Sequence, residues 1–295
     1  MVEKELKPII LPENYKYIAV FLTMRCNLNC SFCLNAFDKS FNRTKFKELT
    51  GEQWVKALNR LQTPDIPITF SGGEPLLHPD ITYIINNLKP ELKIDILTNF
   101  YNEILIEKFL SQVSPERIKR DSPYASIRVS YHPEQMSPEQ LIQNVKKAQD
   151  TGFSIGIWSV QFPSPEQLQA ITQMQFICRD AGIDFRLKDY TGTYKGEIYG
   201  DYSKYPKSTF QKQTQKKLCK TSELLIAPNG NIYRCHRDLF AEENPIGNLL
   251  DPEFQLKNEF IPCNKYGECH PCDVKVKTNY KQQLGHTSVE IKETK

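Results

Sequence analysis

From residue 16 to about residue 188, short apolar runs alternate with longer stretches whose apolar positions recur at helical spacing. The short runs predict strands at Tyr17–Leu22, Ile68–Phe70, Lys93–Leu97, Ser126–Ser130, Ser154–Val160 and Asp184–Leu187. The longer ones predict helices over Gly51–Leu61, Pro79–Leu88, Glu103–Val113, Pro138–Thr151 and Pro165–Ala181. Ser137 and Ser164 precede Pro138 and Pro165, a capping residue followed by proline in the first turn. Gly152 and Gly182 follow the last apolar helical positions, where chains commonly turn left-handed. Strands alternating with helices imply parallel pairing through right-handed crossovers, hence an α/β barrel or partial barrel. Reactive groups in such folds gather at the carboxyl ends of the strands.

That rhythm divides the chain into an N-terminal extension (1–15), a barrel core (16–188) and three further stretches. Residues 189–218, rich in glycine, tyrosine and lysine, read as a linker or substrate-covering loop. Residues 219–272 are cysteine-rich, and 273–295 form a polar tail. Within the cysteine-rich unit, LLIAPNGNIYRCH reads as two β runs joined by Asn229-Gly230, a strong hairpin turn.

Composition narrows the function classes. With 38 basic and 35 acidic residues the net charge is only +3, so no global field favours nucleic acid or an anionic membrane. The local excess at Lys275, Lys277 and Lys281 reads as solvated surface. The first residues offer no signal-peptide core, and no run of ~18 apolar residues could span a bilayer. A cytoplasmic protein is expected, and there nine cysteines call for a use other than disulfides.

Three of them, in FLTMRCNLNCSFCLNAF, follow the first strand within eight residues. Such a loop can offer each thiolate to a different iron of a cubane cluster while leaving one iron open. A single zinc ion would want a fourth ligand, and the loop has none close by. Cys26, Cys30 and Cys33, with Phe32 as the aromatic before the last, resemble the signature of the radical S-adenosylmethionine (radical SAM) superfamily. ITFSGGEPLLHP then places Gly72, Gly73 and Glu74 after the second strand, where glycines expose backbone to a ligand at close range.

The resemblance implies a partial (β/α)6 barrel and a [4Fe-4S] cluster whose open iron is chelated by the methionine part of S-adenosylmethionine. It implies that Gly72, Gly73 and Glu74 bind the methionine ammonium and that Phe32 lies near the adenine. Thr98, Asn99 and Ser130, at later strand ends, would contact the ribose or carboxylate. Many members carry glycine after the Thr-Asn pair, where this chain has Phe100. His132 reads as a loop histidine without chemistry.

Cys219-x10-Gly230-x4-Cys235, followed by a Cys-x2-Cys, resembles the SPASM/Twitch auxiliary-cluster domains of many such enzymes. By that resemblance Cys219, Cys235, Cys269 and Cys272 would bind one auxiliary [4Fe-4S] cluster, with Cys263 as an alternative ligand. By spacing alone, a four-cysteine zinc site fits these residues too. Cys178 falls on the apolar face of its helix and reads as a buried, inert thiol.

The implied activity is reductive cleavage of S-adenosylmethionine and hydrogen-atom abstraction, giving oxidative modification of a small metabolite or peptide. An external one-electron donor such as flavodoxin or ferredoxin is implied, with neither nucleic acid nor membrane as partner. The absence of a leader-binding domain before the barrel weighs against a peptide. The competing reading is a non-catalytic iron–sulfur or zinc protein serving as redox sensor or scaffold, which has no use for Gly72–Glu74 beside the first cysteines.

Overall fold

The computed structural model describes residues 6–33, 46–277 and 286–294. Six parallel strands lie side by side in chain order: β1 (Tyr17–Thr23), β2 (Ile68–Gly72), β3 (Ile94–Thr98), β4 (Ile127–Tyr131), β5 (Ile155–Gln161) and β6 (Phe185–Asp189). Between them run α1 (Gly51–Leu58), α2 (Ile81–Asn87), α3 (Glu103–Gln112), α4 (Pro138–Asp150) and α5 (Pro165–Asp180). This is the partial barrel that the alternation implied, with the six strands that the resemblance gave it. Strand alternation divides its two faces. Ile18, Val20, Ile68, Phe70, Ile94, Ile96, Ile127 and Val129 turn toward the helices and join one continuous core. Each fully buried side chain of that kind contributes roughly 1.5–3 kcal/mol. The neighbouring positions, among them Asp95, Arg128, Ser130, Trp158 and Lys188, face the lumen.

The helix starts follow their caps. Thr50 and Gln53 form a capping box on α1, and the Ser137 and Ser164 hydroxyls accept from Gln140 and Gln167 amides, with proline next in line. Helix α1 stops at Leu58 rather than Leu61. Leu61–Gln62 instead pairs in parallel with Ile9–Ile10, and the Arg60 guanidinium donates to the carbonyls of Leu249 and Asp251. Cys178 is fully buried in α5, and burial pushes its thiol up to about 12.

The remainder is less separate than its composition suggests. Residues 192–194 and 197–199 form a short hairpin in the expected linker. Beyond it come β7 (Gln215–Thr221), β8 (Glu223–Ile226), β9 (Asn231–Tyr233), α6 (His236–Ala241), β10 (Gly247–Asn248), β11 (Ile261–Tyr266), α7 (Pro271–Val274) and β12 (Val289–Glu293). The hairpin turns at Asn229-Gly230 as expected, but β8 pairs in parallel with β1, so the main sheet runs on into it. Strands β11, β7 and β12 make a separate antiparallel sheet, to which the polar tail contributes β12. In this strand Val289 and Ile291 pack against Cys235 and Val274, and Lys217–Glu293 at 2.6 Å and Lys220–Glu290 at 3.3 Å pair across it.

The lysine-rich stretch also departs from the expectation of a solvated surface. Lys277 pairs with the buried Glu223 of β8 at 2.7 Å, and Lys275 and Cys272 lie within electrostatic reach of Lys188 on β6. The segment Pro271–Lys277 thus bridges the two sides of the open barrel. Lys281 lies outside the described residues. No described helix is long and apolar enough to cross a membrane.

Candidate active site

Three strand ends are tied together by backbone and one carboxylate. After β1 the chain runs through Met24 and Arg25 into Cys26. The Gly73 amide donates to the Thr23 carbonyl at 2.9 Å, and the Glu74 amide donates to the Arg25 carbonyl at 2.8 Å. Gly72 holds φ +131°, and a Cβ there would stand 2.1 Å from the Thr23 oxygen. A Cβ on Gly73 would stand 2.1 Å from the Arg25 oxygen. The glycines therefore let the start of the cysteine loop lie directly on the turn after β2.

Glu74 is buried and its side chain turns inward, toward β3. It accepts from the Thr98 hydroxyl at 2.7 Å, the Asn99 amide at 2.6 Å and the Leu76 amide at 3.0 Å. Asn99 in turn donates to the Asn27 side chain at 2.7 Å and lies 4.0 Å from the Cys26 sulfur. Phe100 adopts φ +48°, a left-handed conformation that glycine takes at no steric cost. The left-handed backbone costs a side-chain-bearing residue about 1–2 kcal/mol. Burial of the Phe100 ring in the core offsets that cost.

Burial pushes the Glu74 carboxyl up to about 7, and its three donors pull it part of the way back. In the unfolded chain the same group titrates near 4.5. Between those values the folded state keeps a proton that the unfolded state has released. Its contribution to stability is therefore complete below about pH 4.5, is lost as pH rises to about 7, and stays lost above. Wild type should lose at most roughly 3 kcal/mol over that window relative to Glu74→Gln, which cannot titrate. Denaturant midpoints of both proteins at pH 5, 6, 7 and 8 check this, and parallel profiles would refute it.

The far side of the cysteine loop is pinned by residues after β4. The Asn29 amide donates to Gln135 and the Ser31 amide to Glu134, both at 2.7 Å. Cys26, Cys30 and Cys33 are each half-buried, the first two packed against the main core. Phe32 stacks on Phe162 with centroids 5.0 Å apart and leans on His132 at 5.6 Å. Phe162 carries the edges of Tyr190 and Tyr194, so two linker tyrosines reach the cysteine loop through it. Burial depresses the His132 imidazolium to about 4, so the ring is neutral. Ser130 is half-buried on the lumen face of β4.

The cysteine loop, Gly72–Glu74 and Thr98–Asn99 are therefore one hydrogen-bonded unit, with Phe32 held at its edge. Sequence reading missed Asn27, Glu134, Gln135 and Phe162. Phe162 follows β5 directly, so the strand-end rule could have found it. The others are ordinary polar residues whose role exists only through their partners. Three half-buried thiols on one anchored loop match the donor set of a [4Fe-4S] cluster.

A second thiol site lies between the C-terminal elements. Cys219 on β7, Cys235 at the N-cap of α6, Cys263 on β11 and Cys269 just before α7 line one cavity, with Arg234, Arg237 and Lys265 around it. Cys219 donates its thiol proton to Cys263, and that bond, helped by Arg234, holds the Cys263 sulfur below the ordinary thiol range. Cys272, within α7, is not on this cavity; it lies within electrostatic reach of Lys188, Lys277 and Tyr202. Four thiols ringed by cations suit an anionic thiolate-bound centre.

Over residues 20–154 the chain matches the Radical SAM superfamily. It is 25% identical over 192 residues to the GTP 3',8-cyclase of Aquifex aeolicus, covering 59% of this chain and 56% of that one. It is 33% identical over 85 residues to the S-adenosylmethionine-dependent nucleotide dehydratase of Selenomonas ruminantium, covering 28% and 29%. The chain therefore spans little more than half the length of the first of these relatives and less of the second. Among solved structures, Streptococcus suis SuiB bound to precursor peptide SuiA aligns with a TM-score of 0.52 at 17% identity, over 83% of this chain and 63% of that one. Native anSMEcpe with bound AdoMet aligns with a TM-score of 0.50 at 12% identity, over 83% and 78%. At those identities the likeness is one of fold. The matched segment holds the cysteine loop, the Gly72–Glu74 turn and nearly all of the first four strands; over these residues the chain carries a radical SAM domain.

Proposed function

We propose that this chain is a radical SAM enzyme acting on a small molecule held in the barrel lumen. The observation that carries the reading is the direct bonding of the cysteine loop to the Gly72–Glu74 turn at the carboxyl ends of adjacent parallel strands. Cys26, Cys30 and Cys33 would hold the [4Fe-4S] cluster, and Gly72, Gly73, Thr98, Asn99 and Ser130 would receive S-adenosylmethionine. Bound there, the pair supplies reductive cleavage of the sulfonium to methionine and a 5′-deoxyadenosyl radical that takes a hydrogen atom from the substrate.

The chain's own residues bind and exclude. Glu74 positions the peptide planes after β2 and β3 without facing the ligand, since all three of its hydrogen bonds point into the protein. Phe32, Phe162 and the linker tyrosines form an apolar wall beside the cysteine loop, which keeps water from a reactive carbon-centred species. Cys219, Cys235, Cys263 and Cys269 would hold a second cluster that serves as electron acceptor or substrate ligand. Their common cavity supports Cys263 over Cys272 in that set. Two curated relatives are named for reactions of nucleotides, which supports a small-molecule substrate over a peptide.

Anaerobically reconstituted protein, reduced with dithionite or a flavodoxin system, is expected to turn S-adenosylmethionine into 5′-deoxyadenosine and methionine. Reconstituted, reduced protein that leaves S-adenosylmethionine intact would sink the proposal in favour of a redox sensor or scaffold.

A further inference from the structure

Residues 192–194 and 197–199 pair as an antiparallel hairpin whose turn, Lys195-Gly196, takes positive φ at both positions, +49° and +86°. Two such residues make the tight turn that matches strand twist, so the hairpin is stiff. At its two bases stand glycines with positive φ, Gly192 at +151° and Gly200 at +116°. Strand alternation sends Tyr194 and Tyr199 to one face and Thr193 and the exposed Ile198 to the other.

Among the described residues, every hydrogen bond of residues 192–199 stays within residues 190–202, and no ion pair leaves the hairpin. Its specific contact with the barrel is aromatic. The Tyr194 ring meets Phe162 edge-on with centroids 4.9 Å apart, and Tyr190, just before the hairpin, does so at 5.0 Å. Phe162 in turn stacks on Phe32 of the cysteine loop at 5.0 Å. A stiff unit on two glycine pivots, docked through ring edges, is the construction of a lid. Two contacts of this kind favour the docked position by roughly tenfold to a hundredfold, so undocking is frequent.

We propose that residues 192–199 are a lid that S-adenosylmethionine holds shut, and that Tyr194 is a positioning residue acting through Phe162 on Phe32. This rests on the cysteine loop being the S-adenosylmethionine site, as the proposed function has it. Only the closed state backs Phe32 with Phe162 and both tyrosines. A ligand seated against the cysteine loop therefore binds the closed state better, and its binding shifts the lid toward closure.

Amide hydrogen exchange read by mass spectrometry over residues 190–202 tests this. The protein is cluster-loaded, kept anaerobic and left without reductant, so that S-adenosylmethionine is not consumed. Saturating S-adenosylmethionine should slow exchange in the hairpin about tenfold or more. Tyr194→Ala should lose most of that slowing with its iron content unchanged. In the reduced enzyme the same variant should raise KM for S-adenosylmethionine about fivefold while kcat changes by less than about twofold. Tyr194→Phe keeps the ring edge and should restore the slowing, since the Tyr194 hydroxyl makes no hydrogen bond among the described residues. Exchange that S-adenosylmethionine leaves unchanged, or slows equally in Tyr194→Ala, overturns the lid. Slowing that depends on Tyr194, in protein that makes no 5′-deoxyadenosine on reduction, refutes the radical reading and leaves the lid standing. Formation of 5′-deoxyadenosine without any slowing refutes the lid alone.

Discussion

Alanine at Cys26, Cys30 and Cys33 together is expected to abolish 5′-deoxyadenosine formation and to lower bound iron from about eight per chain to about four, one cubane of two. The fold should survive the change. The three thiols are only half-buried, and the loop is fastened by Asn27, Asn29 and Ser31 through partners that remain in place. The loss is therefore one of ligands, and circular dichroism together with iron analysis separates it from unfolding. Iron content equal to that of wild type would mean that the loop does not hold a cluster. Loss of all the iron would mean that the two sites do not load independently. A fall by half with abolished cleavage is the outcome that assigns the radical chemistry to the loop.

Gly73→Ala is expected to be among the most damaging single-methyl changes near the site. Its new carbon would stand 2.1 Å from the Arg25 carbonyl oxygen and 2.5 Å from that of Met24, and both obstacles are backbone. No rotamer change relieves such a contact. The turn after β2 must move off the cysteine loop, breaking the amide bonds to Thr23 and Arg25. A cost of at least about 3 kcal/mol follows from overpacking together with the lost hydrogen bonds. For a chain of this size that lowers the melting temperature by roughly 6–12 °C. Calorimetry on the variant checks the figure, and iron analysis tests whether the loop still loads. A variant that melts within 2 °C of wild type, with full iron, would show that the contact between loop and turn is dispensable (the expected shift is several times larger).

What could be read from the chain beforehand was whatever depends on local pattern. Five of the six parallel strands carry Ile or Val on the face that meets the helices, and the sixth, FRLKD, shows only as a short run with Phe and Leu. The cysteine loop and the Gly72–Glu74 turn are contiguous, so their chemistry can be read within a few residues. Features that arise from distant pairing stayed hidden. Lys275 and Lys277 look like surface in sequence because nothing nearby announces Glu223 or Lys188. Strand β12 has only two apolar residues, Val289 and Ile291, in an otherwise polar tail, and the β7 partner it pairs with lies some 70 positions earlier. Spacing favoured Cys272 over Cys263 as a ligand of the second site, yet Cys263 lines the cavity with the other three, since pairing of β11 with β7 brings it there. The need for glycine at Gly72 and Gly73 was legible, but the inward turn of Glu74 was not, because it depends on donors supplied by β3.

The pairing of β8 with β1 has a consequence for how the molecule could be dissected. The first strand of the barrel is flanked on one side by β2 and on the other by residues that come some 200 positions later in the chain. Cutting between the barrel and the cysteine-rich region would strip that later neighbour away. A row of amide and carbonyl groups on Tyr17–Val20 would lie bare, the kind of edge that recruits other chains into aggregates. The cysteine-rich region is thus a structural closure for the barrel, and neither is a natural fragment without the other.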